Sequence, residues 1–416
     1  MNNSKNSLPN GWSLKKLGEI FAITSGTTPS RIINEYFKNG THLWVKTTDL
    51  NNNVISDTEE KVTDLAMKKT SLKKLPVGTV LVAMYGGYNQ IGRTGLLQKE
   101  ASINQALSAI LPNKDVAEPY FLLSWLNCKV EDWKNFAASS RKDPNITKSD
   151  VLGFPMLLPP LPEQQKIATI LGTWDAAIQT TTALLSALQK RKKGLMQQLL
   201  SPKSDWKEVR LGECFDFIKT ESFSRENLTY SSELGSYFYI HYGDIHAKFN
   251  KSILDLNSER RIPRLKNECS QKAFQFLKSG DLVFADASED LVGIGDCVEL
   301  KNVEAKKVIG GLHTIAIRPK TTFAPEFLGY LFMSKLIKRQ MQSTATGISV
   351  YGLSKTNLAN FHFSFPSFIE QARIAAILNA ADTELRQTEV YLEKLKTQKR
   401  GLMQQLLTGK VRVTTT

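Results

Sequence analysis

The chain has 416 residues, 41% of them hydrophobic, which gives room for about three ordinary domains. Lys and Arg outnumber Asp and Glu by 54 to 40, a net charge of +14 that favours a polyanionic partner, nucleic acid before membrane. Cys128, Cys214, Cys269 and Cys297 have neither zinc nor disulfide spacing, the opening MNNSKNSLPNGW lacks a signal-peptide core, and no apolar run reaches membrane length; these point to a soluble protein of the reducing cytoplasm.

Residues 1–160 read as a mixed α/β domain. It opens on Trp12 and Leu17-Gly18-Glu19. Trp44 to Leu50 reads as a short strand closing on Asp49. A turn at Gly78 precedes a buried strand through Ala83. Leu107 to Leu111 is a strand ended by Pro112. Pro119 stands at the first turn of a helix through Phe121, Leu122, Trp125 and Leu126. Thr147 leads towards a strand over Phe154 to Leu158. Pro159, Pro160 and Pro162 then stiffen the approach to a long helix, 161–203.

Residues 204–367 repeat these landmarks. Trp206 and Leu211-Gly212-Glu213 open the domain. Tyr239 to Ile245 is a short strand closing on Asp244, and Gly280 precedes the strand Leu282 to Ala285. Thr314 to Pro319 follows. Pro325 then starts a helix through Phe327, Leu328, Leu331 and Phe332. Residues 368–416 form a second long helix and a tail.

The long helices repeat each other without a gap, Glu163–Leu200 matching Glu370–Leu407 at a shift of 207 residues. Ile167, Leu171, Trp174, Ile178, Thr181, Leu185, Leu188, Lys192, Leu195 and Leu199 recur at alternating steps of four and three, a heptad seam. The second copy has the same seam, and its flaws coincide: Thr388 with Thr181 and Lys399 with Lys192. So narrow an apolar stripe needs a partner, and the copies suit each other. The expectation is an antiparallel coiled coil of roughly 55 Å, which turns the repeat into a pseudo-two-fold with the two domains at opposite ends. Two ordinary core helices are the less economical alternative.

Catalytic signatures are missing. There is no GxxxxGK[ST], no HExxH, no Asn-Pro-Pro-aromatic stretch, and Gly293-Ile294-Gly295 lacks the third glycine of a dinucleotide site. Asp244, Asp281, Asp286 and Asp290 could be drawn as a nuclease cluster, but turn and strand-end roles suit them better. The chain reads as a binding protein without an active site of its own.

Base readout needs amide, basic and aromatic side chains on loops or helix ends, with basic and hydroxyl groups around them for phosphates. In the first domain the candidates are Thr27 and Arg31; Lys46 and Thr48; Tyr85, Tyr88, Asn89, Gln90 and Arg93; and Arg141, Lys142 and Lys148. In the second they are His241, Tyr242, His246 and Lys248; Arg260, Arg261 and Arg264; Ser288; and Thr346, Ser349, Tyr351 and Lys355. Any one of these could be an ordinary solvated residue, so the weight falls on the loops as sets. Met196, Gln197 and Gln198 recur as Met403, Gln404 and Gln405, an identical patch of the kind that docking two copies of one partner requires. The plain alternative is that both patches close the coiled coil.

The doubled helix, opening Glu-Gln-x-[Lys/Arg]-Ile-Ala and closing Gly-Leu-Met-Gln-Gln-Leu-Leu, resembles the specificity subunit of type I restriction-modification enzymes. So do the Leu-Gly-Glu openings and the run Gly347 to Leu358. The resemblance covers essentially the whole chain. It implies two target-recognition domains that each read half of a bipartite double-stranded DNA site, with the helices as spacer. It implies two methyltransferase subunits, with restriction subunits joining through the complex, and it assigns S-adenosylmethionine, magnesium and ATP to those partners. The loops differ between the domains, so the full site should be asymmetric. Two other readings compete: a coiled-coil scaffold whose heads bind proteins or other ligands, and an enzyme using the aspartates between 280 and 297. Salt-sensitive DNA affinity separates the first from the scaffold. Alanine at Asp286 and Asp290 tests the enzyme.

Overall fold

The computed structural model describes residues 8–137, 145–231, 237–249, 252–266, 274–347 and 350–414. The chain divides into two units, 1–183 with 390–416, and 184–389. Each combines one α/β domain with one end of each long helix.

In the first unit the fully buried strand Val80–Ala83 is central, entered through Gly78 at φ +89°. Its sheet runs Ile23–Ser25, Leu107–Ile110, Val80–Ala83, Thr94–Leu97, Asn53–Ile55, antiparallel except for the last pair. A smaller sheet places His42–Val45 between Lys61–Val62 and Ser102–Ile103. The strand Ser13–Lys16 pairs with Pro155–Leu158. Apolar residues between the larger sheet and the helices Pro119–Cys128 and Val130–Ala137 form the main core, with Trp133 stacked on Phe154 at 3.6 Å.

The second unit repeats the plan. Its five-stranded sheet runs Phe215–Ile218, Thr314–Pro319, Leu282–Ala285, Cys297–Lys301, Ile253–Asp255, again parallel only at the last pair. Tyr237–Ile240 pairs parallel with Lys307–Gly310, as His42–Val45 does with Ser102–Ile103. Cys128, Cys214 and Cys297 are free thiols; Cys269 lies outside the described residues.

Two local expectations need correction. The strands do not close on Asp49 and Asp244. They end at Val45 and Ile240, and a helical turn follows in which Asp49 accepts from the Lys46 N–H at 2.7 Å. Pro119 is the first residue of its helix, but Pro325 is not. Glu326 intervenes at φ +68°, and the helix starts at Phe327. That start is capped from outside: buried Glu299 accepts from the Glu326 and Gly329 N–H groups at 2.6 and 2.8 Å. Burial pushes the Glu299 carboxyl up to about 7.

The long helices span Leu161–Leu199 and Phe368–Leu406, and every seam residue is covered at least in part. Within the first unit Asp175 meets Lys399; within the second Lys192 meets Asp382 and Lys203 meets Glu370. In each unit an early residue of one helix therefore faces a late residue of the other, the antiparallel arrangement. The four seam flaws have structural answers. Thr181 and Thr388 return their hydroxyls to the carbonyls of Ala177 and Glu384, both at 2.8 Å, so neither buries an orphan donor. Each seam lysine has an aspartate, which also accepts from a tyrosine: Tyr120 to Asp175 at 2.5 Å, Tyr330 to Asp382 at 2.7 Å.

The Glu-Gln that opens each helix anchors the domain before it. Gln164 is fully buried; it accepts from the Glu118 N–H at 3.0 Å and donates to the carbonyls of Val116 and Pro159 at 3.0 and 2.8 Å. Gln371 accepts from the Ala324 N–H at 3.0 Å and donates to the Pro366 carbonyl at 2.9 Å. Glu163 accepts from both Arg412, at 2.7 and 2.8 Å, and Trp12, at 3.0 Å, which ties the C-terminal tail to the start of the first domain. Among the described residues no helix is long and apolar enough to cross a membrane.

Candidate nucleic-acid interface

In the first unit the candidate loops converge. Arg31 makes a bidentate pair with Glu60 at 2.7 and 2.9 Å, and Lys46 reaches the same carboxylate at 2.9 Å. Arg31 and Lys46 hold Glu60 down to about 2. The Arg31 guanidinium also lies 4.4 Å from the Phe37 ring centre. These two cations are therefore fixed in place and partly neutralised. Thr27 bonds to Ser71 at 3.1 Å, while Thr48 is exposed.

The loop between strands Val80–Ala83 and Thr94–Leu97 carries the densest set. Gly86 and Gly87 at φ +117° and +86° let it turn sharply, and Gly92 at +74° packs against Trp133, where a Cβ would come within 2.9 Å. Tyr85, Tyr88 and Asn89 are exposed on this frame, with the Lys134 ammonium 5.2 Å from the Tyr88 ring. Arg93 donates to Gln90 at 2.9 Å. The base of the loop joins the fourth candidate segment where the Ile146 N–H meets the Met84 carbonyl at 3.0 Å. Lys148 is exposed at the start of a short helix capped by Thr147; Arg141 and Lys142 lie outside the described residues.

In the second unit His241 is buried, accepts the Gly243 N–H at 3.1 Å and caps a helical turn. Burial drives its pKa down. Tyr242 packs between His241 and His313, at 4.6 and 5.2 Å. Lys248 pairs with Asp244 at 2.7 Å and lies over the exposed Tyr230 ring at 4.0 Å. Arg261 is bidentate to Glu259, Arg264 lies over Phe238 at 4.5 Å, and Arg260 is exposed. Ser288 is buried and caps the Asp290 N–H at 3.3 Å. Ala287–Ser288 pairs with Tyr351–Gly352, which brings two candidate loops together, and Gly352 in turn bridges to exposed Thr346. Lys355 is exposed; Ser349 lies outside the described residues.

His246 braces this set. Its Nε2 donates to the Ala287 carbonyl at 3.0 Å, so Nδ1 must carry a second proton to donate to Asp296 at 2.9 Å. The Asp296 hydrogen bond raises the imidazole pKa against the opposing effect of burial. Burial works against ionising Asp296, but His246 and Lys338 outweigh it and hold that carboxyl low. The stabilisation is therefore complete below the usual imidazole value of 6.5 and is lost as pH climbs through the raised folded value. Amide exchange across 286–296 should accelerate over that rise, and His246→Gln should flatten the dependence. An unchanged pH profile in the variant would remove His246 as the cause.

The four aspartates that could be drawn as a nuclease cluster have structural partners. Asp244 holds Lys248, Asp281 takes Arg318 at 2.8 and 2.6 Å, Asp286 meets His313 at 3.2 Å, and Asp290 accepts the Gly293 N–H at 2.7 Å. Among the described residues no three acidic, His or Cys side chains are grouped to hold a metal. Gln105, beside Thr28, Lys134, Tyr230 and His313 join these loops from other parts of the chain and carry no local signal in the sequence. Of the repeated patch, Met403 is buried in the first core and Met196 packs against the second; Gln197, Gln198, Gln404 and Gln405 are exposed. Met403 is taken up by packing, Met196 is partly buried, and the four amides face outward.

A family model, the type I restriction modification DNA specificity domain, matches twice, over residues 9–190 and 203–396. The MjaVIII specificity subunit of Methanocaldococcus jannaschii is 23% identical over 98% of this chain and 94% of its own. The EcoKI specificity subunit of Escherichia coli is 22% identical over 98% and 91%. The MjaIX specificity subunit of M. jannaschii is 26% identical over 55% of this chain, and that match spans about half of its own length, 48%. Among solved structures, the S subunit from M. genitalium superposes with a TM-score of 0.59 at 16% identity, covering 98% of each chain. A chain from a structure of type I system assembly gives 0.59 at 19%, over 97% and 100%. The fold is theirs.

Proposed function

The chain belongs to the type I restriction-modification DNA specificity family, the non-catalytic part of those systems, and on that premise we propose that it reads a bipartite, asymmetric DNA site. Each domain contacts one half-site, the paired helices set the spacing, and two methyltransferase subunits dock on the chain and bring in restriction subunits. The observation that carries this reading is a repeated frame with unrepeated loops. The same strand order supports converging loops in both units, yet Tyr85, Tyr88, Asn89 and Arg93 in one correspond to nothing similar in the other. A shared frame suits one kind of ligand, and different loops suit different bases. Exposed aromatics beside lysines fit a nucleic-acid face.

The test is a map of methylated bases in cells carrying this chain with its methyltransferase, against cells lacking only this chain. A split, asymmetric motif should vanish on deletion. The triple change Tyr88→Ala, Asn89→Ala and Arg93→Ala should relax one half of the motif and leave the other intact. An unchanged map with the methyltransferase expressed would favour a scaffold that binds proteins.

A further inference from the structure

The second unit contains a groove of about 580 Å³ between the end of the first long helix and the helix Lys335–Ser343. Its floor is apolar: Met196, Leu200, Met333 and Leu336. Val292 stands at its rim, 73% exposed, and Leu336 is 44% exposed. These are large apolar residues left in water beside a concave surface, the signature of a protein contact. The groove is also cationic. Lys192 is engaged by Asp382 and Lys338 by Asp296, but Lys193, Lys335 and Arg339 form no ion pair among the described residues.

The first unit differs in the corresponding place. Its helix Val130–Ala137 follows Pro119–Cys128 just as Lys335–Ser343 follows Phe327–Phe332, but it carries Glu131 and Asp132 with Lys134. The helix in the second unit has three cations and no acid. The long-helix end beside the second unit's helix closes Gly-Leu-Met-Gln-Gln-Leu-Leu, and so does the other long helix, whose Met403 and Leu406 share the first unit's core with Trp133. Two copies of one partner can therefore meet the same helix end twice, but they cannot be complementary in charge to both neighbouring helices.

We infer that the groove lined by Leu336, Val292, Lys335 and Arg339 docks an acidic, amphipathic segment of the methyltransferase subunit, and that the first unit's helix Val130–Ala137, with two acids where this one has none, offers no matching cationic face among the described residues, so the two copies bind unequally. The inference rests on the docking of two methyltransferase subunits proposed above. The apolar floor favours a protein segment over DNA phosphates, which would need cations but no exposed leucine. The loop that reaches the groove also ties docking to recognition. Lys338 donates to the Val292 carbonyl at 2.7 Å, and the base of that loop is held by His246 and paired with Tyr351.

The experiment titrates purified methyltransferase subunit into the full chain and counts one-partner and two-partner complexes by native mass spectrometry, with affinities from equilibrium sedimentation at about 50 and about 200 mM salt. Two binding steps of unequal affinity are expected, one of them strongly salt-dependent. Lys335→Glu with Arg339→Glu should weaken that step roughly tenfold or more and spare the other. Leu336→Ala, with every charge kept, should weaken the same step; unfolding midpoints at the wild-type value confirm that both variants fold. Equal effects on both steps, or none, would overturn the inference while leaving the proposed function standing. Weaker DNA binding by the assembled complex with both partner steps unchanged would assign the groove to DNA and also overturn it. A wild-type chain that binds no methyltransferase at all would bring down both.

Discussion

Asp175→Leu is expected to destabilise the first unit by about 2–4 kcal/mol, more than the loss of any single loop residue. The Lys399 ammonium sits on the helical seam with a side chain only 16% exposed, and Asp175 is its ionic partner. The change leaves a mostly buried cation unpaired and also takes the acceptor from Tyr120, whose phenol pKa is pushed up by burial and by that carboxylate. Lys399→Met should cost less, because Asp175 keeps Tyr120 and an apolar side chain suits the seam. The pair Asp175→Leu with Lys399→Met should recover most of the loss, since a buried ion pair replaced whole is close to neutral. In the second unit the matching Asp382→Leu should cost less than Asp175→Leu, because Asp382 is 33% exposed against 17% for Asp175. Urea unfolding of the full chain, with amide exchange followed separately in 161–183 and 368–389, reads each unit. If Asp175→Leu costs under ~0.5 kcal/mol, the seam lysine is effectively solvated, and the ion pair cannot be what fixes the register of the two helices.

That result bears on what the sequence could and could not disclose. The seam was legible because a heptad is a local pattern. Ile167 and Leu171 announce their face without reference to any other part of the chain, and both are fully buried. The lysines at 192 and 399 looked like flaws because their aspartates, at 382 and 175, are far away in sequence. Distance hid the charge pairing of the candidate loops in the same way. Arg31 and Lys46 read as free cations until Glu60 is seen between them. Lys248 and Arg261 are a different case, since Asp244 and Glu259, which hold them, stand only four and two residues away. Buried strands such as Val80–Ala83 could be read directly, since four consecutive apolar residues after a glycine turn have few alternatives. The interface could not. It is assembled by contacts between loops and turns distant in sequence, which bring Gln105 to Thr28 and His313 to Tyr242. Pro325 misled for a related reason: its neighbour Glu326 adopts φ +68°, a choice supported by Glu299 from another strand.

Gln164→Leu is the second change expected to have a large effect, about 3–5 kcal/mol in the first unit. The side chain is fully buried, and leucine would leave the part-buried Glu118 N–H and Val116 carbonyl and the buried Pro159 carbonyl without this partner. Each orphaned group costs about 1–3 kcal/mol, and local relaxation keeps the sum below the maximum. Gln371→Leu should cost less, since two groups lose partners there, the Ala324 N–H and the Pro366 carbonyl. Gln164→Glu sharpens the test. The acid form keeps one acceptor and one donor, but its ionised form would put a charge beside Glu163 with no donor for the two carbonyls. Burial raises the pKa of such a carboxyl, so the variant should be tolerated at low pH and lose stability as pH rises through that raised value. The wild type has no such titration at this position. Denaturation midpoints of the three variants across pH decide the matter. A Gln164→Leu chain within ~1 kcal/mol of wild type would mean that the apolar contacts of Ile167 and Leu171 alone fix the domain to the helix. The expected loss would mean that one amide locks the start of the helix Pro119–Cys128 to the long helix. Through that lock the candidate loops of the first unit would be held at a fixed angle to the long helix Leu161–Leu199.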